Sequence, residues 1–510
     1  MMTMTRFTKE TLGLVLLMGF VNSAGAFSLL GPFKTDATIT GGDWQATGFG
    51  GQPQGLGYSL TGDIGGPMLP TEAYRWNVPV ITYAFDLTFL QYFGPEGVDA
   101  VEEAIRILND LPPASRMSDT LTEYALDTKG ENGTASALGL VDLKSFTLAV
   151  LLEQLGLANS ERFVWGLRGR DTGQNFTNYS VIQMSYDPVT IQPTRYVNGV
   201  LYNYQIFDDL GPIGAEWASA VEWYQLDPLY QPYSSVSSGT GGGDFQLGSS
   251  PSLSFGGIFG AGLSIGQYYS GLTRDDVGGL RYLLSPNHYV FDTLLPTVLP
   301  RTGGGGGSPW APYISTNAFT GTNAAGTSNL VTVLTNFPSL VQTAYRPGMD
   351  KITFQRVSLF GTNFTPITLR HTDSYINPTN GRVVKQKLER LVLQPDIIFD
   401  VRDLGTIFEI PVTASRSGTG NWTNNAALNS YFGGAGLGGP GTISPPVVIT
   451  YTDMLPYFLN LAAGDGDISA LGGFLWGSFD GTDRPPVVFP TGRGLTLEYL
   501  QDVILRPNRN

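Results

Sequence analysis

The stretch Val78-Pro79-Val80-Ile81-Thr82-Tyr83-Ala84-Phe85-Asp86 decides the fold of the first half of this chain. It has the β-branched and aromatic composition of a buried strand, and it ends on a polar residue. A helical pattern begins around Gly94-Pro95, because proline is favoured at the first helical position. Pro112-Pro113 ends the helix. Its apolar residues recur at helical spacing: Val98, Val101, Ile105 and Leu108. A strand followed by an amphipathic helix predicts a mixed α+β domain.

Two further helices are predicted for the same domain. The segment Ser145 to Leu157 is apolar nearly all round, which is typical of a helix buried in a core. Thr273, followed three residues later by Asp276, predicts a helix that starts with a capping box. Aromatic segments between these helices predict three strand regions: Tyr179 to Tyr186, Tyr196 to Phe207 with a turn at Asn198-Gly199, and Glu216 to Leu226.

Five consecutive glycines from position 303 predict a linker over residues 299–310, since such a run does not hold a defined backbone. The α+β domain then covers residues 76–298, after a Gly- and Pro-rich extended lead-in over residues 27–75. Residues 311–510 contain short strand-like runs separated by turns, and this spacing predicts an all-β, sandwich-like second domain. The runs are Leu330 to Leu334, Lys351 to Leu359, Val392 to Phe399 and Val447 to Tyr451.

The first 26 residues have the pattern of a secretory signal peptide. Arg6 and Lys9 precede an apolar run from Leu12 to Val21, and the small residues Ala24-Gly25-Ala26 follow it. We expect cleavage near Ala26, before Phe27, and a mature protein that is secreted, lies at the cell surface or resides in the periplasm. No second apolar stretch reaches the roughly 20 residues that a membrane helix needs. The mature chain is therefore expected to have no transmembrane segment.

Composition excludes several classes of partner and chemistry. The net charge of -14 argues against nucleic-acid binding, which requires a basic surface. The chain contains no cysteine, so it has no disulfide framework and no thiolate zinc site, and export without disulfides favours a bacterial source. His288 and His371 are the two histidines, and they fall in different predicted domains. Two histidines in different domains cannot build a multi-histidine metal site within one chain.

Carboxylates are the general acids and bases that remain. The adjacent pairs Asp208-Asp209 and Asp275-Asp276 are candidates, but neighbours in sequence seldom face one cleft, and helix capping explains the second pair. Asp465 and Asp467 alternate with glycine, and their oxygens would suit calcium, although the glutamate that closes an EF-hand loop is missing. Aromatic residues near position 220 suit either a carbohydrate-stacking face or ordinary strand packing. They include Trp217, Trp223, Tyr224, Tyr230 and Tyr233.

The segment from Ile81 to Asp86 with the helix after it resembles the opening of matrixin-type (metzincin) metallopeptidases, and Leu272-Thr-Arg-Asp-Asp-Val-Gly-Gly-Leu-Arg-Tyr-Leu is similar to that family's final helix. The resemblance covers residues 78–285. It implies a zinc helix with the pattern H-E-x-x-H-x-x-G-x-x-H, and Gly156 gives its register. In that register, the three histidines are replaced by Ala149, Glu153 and Asn159, and the catalytic glutamate by Val150. The resemblance therefore implies a scaffold without the Lewis acid and general base of the peptidase.

These observations lead to one expectation and two alternatives. We expect an exported bacterial protein without a cofactor and without zinc metallopeptidase activity, acting in envelope structure, adhesion or extracellular assembly. Its partners would be protein or polysaccharide at the cell surface, or further copies of itself. One alternative is a secreted hydrolase of polysaccharide or peptide that uses carboxylates which the sequence does not identify. The other is a polysaccharide- or calcium-binding protein.

Overall fold

The computed structural model describes residues 25–31, 75–158, 160, 164–172, 177–206, 221–225, 265–300, 340–402, 445–452, 475–491 and 496–505, apart from positions 184, 198–199, 296, 362, 378 and 492–495. It also describes short strands at 48–49, 52–53, 66–67, 422–424 and 441–443. The predicted signal peptide before Gly25, the glycine run, and the predicted strand from Leu330 to Leu334 lie outside these residues.

The described residues form a mixed structure with few helices and many strands in several sheets. The helices are α1 Leu87–Asp110, α2 Gly133–Ala137, α3 Leu143–Gln154, α4 Arg274–Leu284 and α5 Leu497–Leu505, with a 3₁₀ turn at Ala114–Arg116. The strands up to the predicted linker are β1 Phe27–Gly31, β2 Gly48–Phe49, β3 Gln52–Pro53, β4 Gly66–Pro67, β5 Val80–Phe85, β6 Lys129–Glu131, β7 Leu140–Asp142, β8 Leu157–Ala158, β9 Trp165–Thr172, β10 Thr177–Gln183, β11 Ser185–Tyr186, β12 Tyr196–Val197, β13 Val200–Ile206, β14 Val221–Gln225, β15 Gln267–Tyr269, β16 Val290–Thr293 and β17 Val298–Pro300. Those after it are β18 Thr343–Arg346, β19 Thr353–Arg356, β20 Leu359–Phe360, β21 Asn363–Phe364, β22 Ile367–Ile376, β23 Val383–Val392, β24 Ile397–Arg402, β25 Trp422–Asn424, β26 Gly441–Ile443, β27 Val447–Thr452, β28 Leu475–Ser478 and β29 Val487–Val488.

A four-stranded parallel sheet in the order β19-β5-β24-β27 lies at the centre of the fold. Strand β5 confirms the strand predicted from Val78 to Asp86. Both of its neighbours come from beyond the predicted linker, because Val80 pairs with Thr353 and Tyr83 pairs with Ile397. The two predicted domains therefore share one sheet.

Helix α1 packs on this sheet and begins earlier than its sequence pattern indicates. Asp86 accepts a hydrogen bond from the amide of Thr88 at 2.9 Å and thereby caps a first helical segment that starts at Leu87. At Gly94 the backbone leaves the helical region, with φ at 63° and ψ at -164°. The helix resumes at Pro95, where the sequence places its start, and it ends at Asp110, before the predicted proline stop. The helix is thus two segments joined at one glycine.

The larger of two hydrophobic clusters among the described residues takes side chains from both halves of the chain. Phe85 stacks on Phe399 of β24 with ring centroids 5.4 Å apart, and Phe93 of α1 meets the ring of Tyr451 in β27 at 5.5 Å. Helix α3 confirms the predicted buried helix, and nearly all of its side chains are buried. The core therefore crosses the position of the predicted domain boundary.

Strands β19 and β27 confirm two of the strands predicted for the second half, whereas the predicted strand from Val392 to Phe399 covers the end of β23, a connection and the start of β24. These strands do not build a separate sandwich among the described residues. Strands β19, β24 and β27 complete the sheet around β5, while β22 and β23 form a long antiparallel hairpin beside β17. A short apolar run marks a strand but does not specify its partner, so this pairing was not readable from sequence.

Several local predictions are confirmed. Thr273 and Asp276 form a reciprocal capping box at the start of α4. Strands β12 and β13 pair around the predicted Asn198-Gly199 turn. Strand β1, at the start of the segment predicted as an extended lead-in, is instead a core strand that pairs with β4, β8 and β11. No helix in the described part of the chain is long and apolar enough to cross a membrane.

Candidate functional site

Helix α3 carries the positions that the resemblance aligns with a zinc helix. Ala149 and Val150 both have 0% exposure, and they lie inside the core. Glu153 is half-buried, and Asn159 lies outside the described residues. Neither alanine nor valine can bind a metal or transfer a proton. The positions aligned with the first zinc ligand and the general base are therefore packing residues.

The surroundings of α3 are filled by aromatic side chains of the second half. Phe146 meets Trp476 edge-on at 5.0 Å. Thr147 Oγ1 lies 2.7 Å from Tyr451 Oη, and both residues are fully buried. Burial raises the pKa of Tyr451 well above its usual value, with only partial opposition from the bond to Thr147. This helix contacts packed side chains along the segment that the resemblance would place at an active site.

The described residues contain no group of three or more acidic or histidine side chains that could hold a metal ion. Asp465 and Asp467, the predicted calcium ligands, lie outside the described residues, as do Asp208 and Asp209. Of the predicted aromatic platform, Trp223 and Tyr224 lie in β14, while Trp217, Tyr230 and Tyr233 also fall outside the described residues. The calcium site and the aromatic platform stay predictions.

Buried carboxylates form structural contacts. Asp142 caps α3 by accepting hydrogen bonds from the amide and hydroxyl groups of Ser145. Burial raises the pKa of Asp142, while Lys144 and these hydrogen bonds oppose the shift. The Ser145 hydroxyl also accepts a bond from the Tyr269 amide at 2.7 Å. Ser145, held by Asp142, thus joins the start of α3 to strand β15.

The Asp275-Asp276 pair lies in the first turn of α4, and both carboxylates are buried. Asp276 accepts hydrogen bonds from the backbone amide and the hydroxyl of Thr273. Asp275 accepts a hydrogen bond from the amide of Ala26 at 2.8 Å, across 249 residues of sequence. The two acids thus point to different partners, and they do not form a catalytic carboxylate pair.

An ion-pair network that sequence reasoning missed joins the two halves of the chain. Arg75 Nη2 lies 3.3 Å from Asp292 Oδ2, and Arg346 Nε lies 3.0 Å from Asp373 Oδ2. Arg346 also contacts the Asp292 carboxylate at 3.5 Å and its backbone carbonyl at 2.8 Å. All four side chains are buried. Burial raises the pKa of Asp292, against the opposing effect of the two guanidinium groups.

A second buried ion pair fixes the central sheet. Arg390 of β23 contacts Asp396, which precedes β24. Asp396 Oδ2 also accepts hydrogen bonds from the amide and the hydroxyl of Thr82 in β5, at 2.7 and 2.8 Å. Buried charges of this kind need such partners to offset the cost of desolvation. The pair therefore holds β5 and β24 in register.

The two histidines have separate structural positions. His288 Nδ1 lies 2.9 Å from the carbonyl oxygen of Tyr282, and its ring lies 4.2 Å from the tyrosine ring. Burial, and next the charge of Arg75, lower the pKa of His288 to about 4. His371 lies in β22 opposite Leu388, and burial lowers its pKa as well. Neither histidine belongs to a group of metal-ligating side chains among the described residues.

Two exposed faces have opposite charge. The outward face of the β22–β23 hairpin presents Arg370, Lys385 and Lys387, with Arg382 near its turn. One acidic residue of this face, Glu389, pairs with Arg370 at 2.9 Å. Because alternate residues of a strand point to opposite faces, the two lysines lie on the face of β23 that is opposite to the face of the buried Leu388 and Arg390. This surface, the basic hairpin face, has a charge contrary to that of the whole chain.

The outward face of α1 is acidic. It borders a shallow groove lined by Tyr83, Asp99, Glu102, Glu103, Arg106, Asn109 and Asp110. Burial, and next the charge of Glu102, raise the pKa of Tyr83 to about 12. Arg106 pairs with Glu103 at 2.7 Å, and Arg356 pairs with Glu102 at 2.7 Å. This surface, together with Glu96, is called the acidic helix face below.

No family model, curated protein or solved structure matches this chain.

Proposed function

We propose that this chain is an exported, non-catalytic protein that assembles with further copies of itself at the cell surface. The observation that carries the proposal is that one chain presents two exposed faces of opposite charge, the basic hairpin face and the acidic helix face. Complementary potentials of this kind steer association and fix its register. Export itself rests on the signal-peptide pattern of the first 26 residues.

The charges favour a second copy of the chain as the partner that binds the basic hairpin face. The net charge of -14 makes most of the chain repel another copy, so a concentrated basic face selects which surface such a copy presents. The two faces are different surfaces of one chain. A contact between different surfaces is heterologous, and it produces rings where the rotation closes and filaments where it does not. The proposed assembly is therefore a ring or a filament.

The positions of the buried carboxylates support a non-catalytic role. Asp142 and Asp276 cap helices, Asp292 and Asp373 pair with arginines, and Asp396 supports the central sheet. A general acid or base must reach a substrate, and these five groups face the protein interior. The apolar Ala149 and Val150 add support, since the resemblance aligns them with a zinc ligand and a catalytic glutamate.

Charge reversal tests the assembly. The double variant Lys385→Glu/Lys387→Glu has an acidic hairpin, and the double variant Asp99→Lys/Glu103→Lys has a basic helix. We expect light scattering to find assemblies of the mature wild-type chain at low salt, and monomers of either variant alone. An equal mixture of the two variants should assemble again, because each hairpin then meets a helix of opposite charge. Salt near 0.5 M should dissolve the assemblies, since the Debye length falls to only about 3–10 Å.

The control variant Arg195→Glu/Arg484→Glu makes the same change in net charge as the hairpin variant, at two exposed residues that belong to neither face. It should assemble like the wild type. A wild-type chain that stays monomeric at low salt would overturn the proposal, as would variants that assemble alone. Turnover of a polysaccharide or peptide by the monomer would favour the hydrolase alternative. A melting temperature that falls with chelator would favour the calcium-binding alternative.

A further inference from the structure

The backbone amide of Ala26 donates a hydrogen bond to the buried carboxylate of Asp275. Ala26 N donates to Asp275 Oδ2 at 2.8 Å, and the two residues are 0% and 1% exposed. Asp275 belongs to the first turn of α4, whose start is fixed by the capping box of the neighbouring Asp276. The backbone of Asp275 is therefore fixed independently of Ala26.

Strand β1 fixes the position of Ala26, the other partner in this hydrogen bond. Phe27 is buried, with its ring 6.1 Å from that of Tyr186 and 5.9 Å from that of Tyr282. Phe27 also pairs with Tyr186 in the sheet, and Ser28 Oγ lies 2.8 Å from Ser185 Oγ. These contacts determine where the nitrogen of Ala26 lies.

Gly25, the residue before Ala26, lies so close to the Asp275 carboxylate that there is no room for a side chain. A Cβ atom on Gly25 would lie 1.8 Å from Asp275 Oδ1. The predicted signal-peptide cleavage falls within one residue of this contact. The predicted cleavage site thus lies next to the buried carboxylate of Asp275 and at the start of strand β1.

Resting on the proposed export, we propose that processing cuts the Gly25–Ala26 bond and that the new α-ammonium group of Ala26 forms a buried ion pair with Asp275. A secretory peptidase would hydrolyse the bond: water adds across it, the carboxylate leaves with Gly25, and the amine that remains on Ala26 takes up a proton. The small residues Ser23 and Gly25, three and one positions before this cut, fit the small-residue pattern of cleavage sites.

The geometry favours this bond over its neighbour. With a cut after Ala26, the new terminus would be the nitrogen of Phe27, one residue or about 3.8 Å further along the chain. To reach Asp275, that nitrogen would have to pull Phe27 away from Tyr186 and Tyr282. The nitrogen of Ala26 already lies at hydrogen-bond distance, so no part of β1 has to move.

Cleavage would then strengthen the fold. In the uncut chain, Asp275 receives a neutral amide from Ala26. After the cut it receives a charged donor, and charge-assisted hydrogen bonds are about twice as strong as neutral ones. The first strand is thereby held more tightly to α4 in the processed form, which couples export to the stability of the core.

The N-terminus of the exported protein gives the first test. Intact-mass and N-terminal analysis of protein recovered outside the cytoplasm should show Ala26 as the first residue. A terminus at Phe27 or at another residue would overturn this inference and leave the proposed export standing. An uncut chain found only in the cytoplasm would overturn both.

A purified pair of chains gives the second test, and it does not depend on export. One chain starts at Ala26 and the other retains Ala24-Gly25, each with Asp275 and with Asp275→Asn. The extension should raise the unfolding equilibrium constant about tenfold when Asp275 is present, and should leave it unchanged in Asp275→Asn. In Asp276→Asn, which loses a capping acid, the tenfold effect of the extension should persist. Equal effects with and without Asp275 would overturn the inference.

Hydrogen exchange gives a third test, which uses only chains with Asp275 and therefore does not require that Asp275→Asn folds. The amides of Phe27–Gly31 should exchange more slowly in the chain that starts at Ala26 than in the extended chain. Equal exchange rates in the two wild-type forms would overturn the proposed ion pair.

Discussion

Single charged residues hold distant parts of this chain together. Arg390 and Asp396 form a buried pair, and Asp396 also binds Thr82, which lies 314 residues away in sequence. Arg370, in the strand next to Arg390, pairs with Glu389 but is 62% exposed. The two arginines therefore allow a direct comparison of a buried and an exposed ion pair in one hairpin.

We predict that Arg390→Met destabilises the protein by about 3–5 kcal/mol, because it leaves the carboxylate of Asp396 buried without its cation. Arg370→Met, the matched control, should cost only about 0–1 kcal/mol, since water already screens that pair. Urea denaturation at neutral pH measures both values. Similar losses for the two variants would contradict the structural role assigned to the buried pair.

The lowered pKa of His288 predicts that the free energy of unfolding depends on pH. Its pKa is lowered to about 4 in the folded protein, from 6.5 in the unfolded chain, so protonation favours the unfolded state. The stability that neutral His288 contributes is fully present above pH 6.5, and it is lost as the pH falls toward 4. In His288→Asn, the amide can replace the bond to the Tyr282 carbonyl but does not titrate.

We expect the free energy of unfolding to fall less steeply between pH 6.5 and 4 in His288→Asn than in the wild type. Other groups titrate in this range, so the measured quantity is the difference between the two urea-denaturation profiles. Profiles that stay parallel over the whole range would show that His288 has no depressed pKa.

Elements formed by local contacts were the ones that the sequence could predict. The capping box at Thr273, the buried helix α3 and the antiparallel pairing of β12 with β13 each depend on residues that are near in sequence. The neighbours of β5 depend on pairing across the predicted linker, and no local pattern encodes that choice. For the same reason, sequence reasoning found the capping role of Asp276 but missed the ion-pair network.

The break in helix α1 at Gly94 predicts that a side chain at this position destabilises the protein. Gly94 has a φ of 63°, where a side chain is strained, and an added Cβ would lie 3.0 Å from Thr491 Oγ1. Gly94→Ala should therefore destabilise the protein by about 1–2 kcal/mol in urea denaturation. Gly133→Ala, at a position where a Cβ would meet nothing within 4 Å, is the control and should cost less than about 0.5 kcal/mol. Equal stability of Gly94→Ala and the wild type would exclude strain at this joint.

At the scale of the whole molecule, the two halves share a sheet and a core. Strand β5 lies between β19 and β24, and the aromatic cluster joins Phe89 and Phe93 of α1 to Tyr451 of β27. Removal of the second half would expose both edges of β5 and one side of α1. Exposed strand edges and apolar faces of this kind promote aggregation.

We therefore predict that a fragment of residues 25–300 does not fold alone. Its circular dichroism should show no cooperative thermal transition, and co-expression with residues 301–510 should restore a soluble complex. The intact chain with a protease site inserted in the glycine run is the control, and its two pieces should remain associated after cleavage. A cooperative transition of the isolated fragment would instead support two independent domains.

Cross-linking between copies shows whether the protein self-assembles through the basic hairpin face and the acidic helix face. Isotopically light and heavy mature chains are mixed at low salt and treated with a reagent that couples amines to carboxylates without a spacer. We expect light–heavy cross-links that join Lys385 or Lys387 to Glu96, Asp99 or Glu103. Cross-links confined to single copies, or between copies at other surfaces, would contradict it.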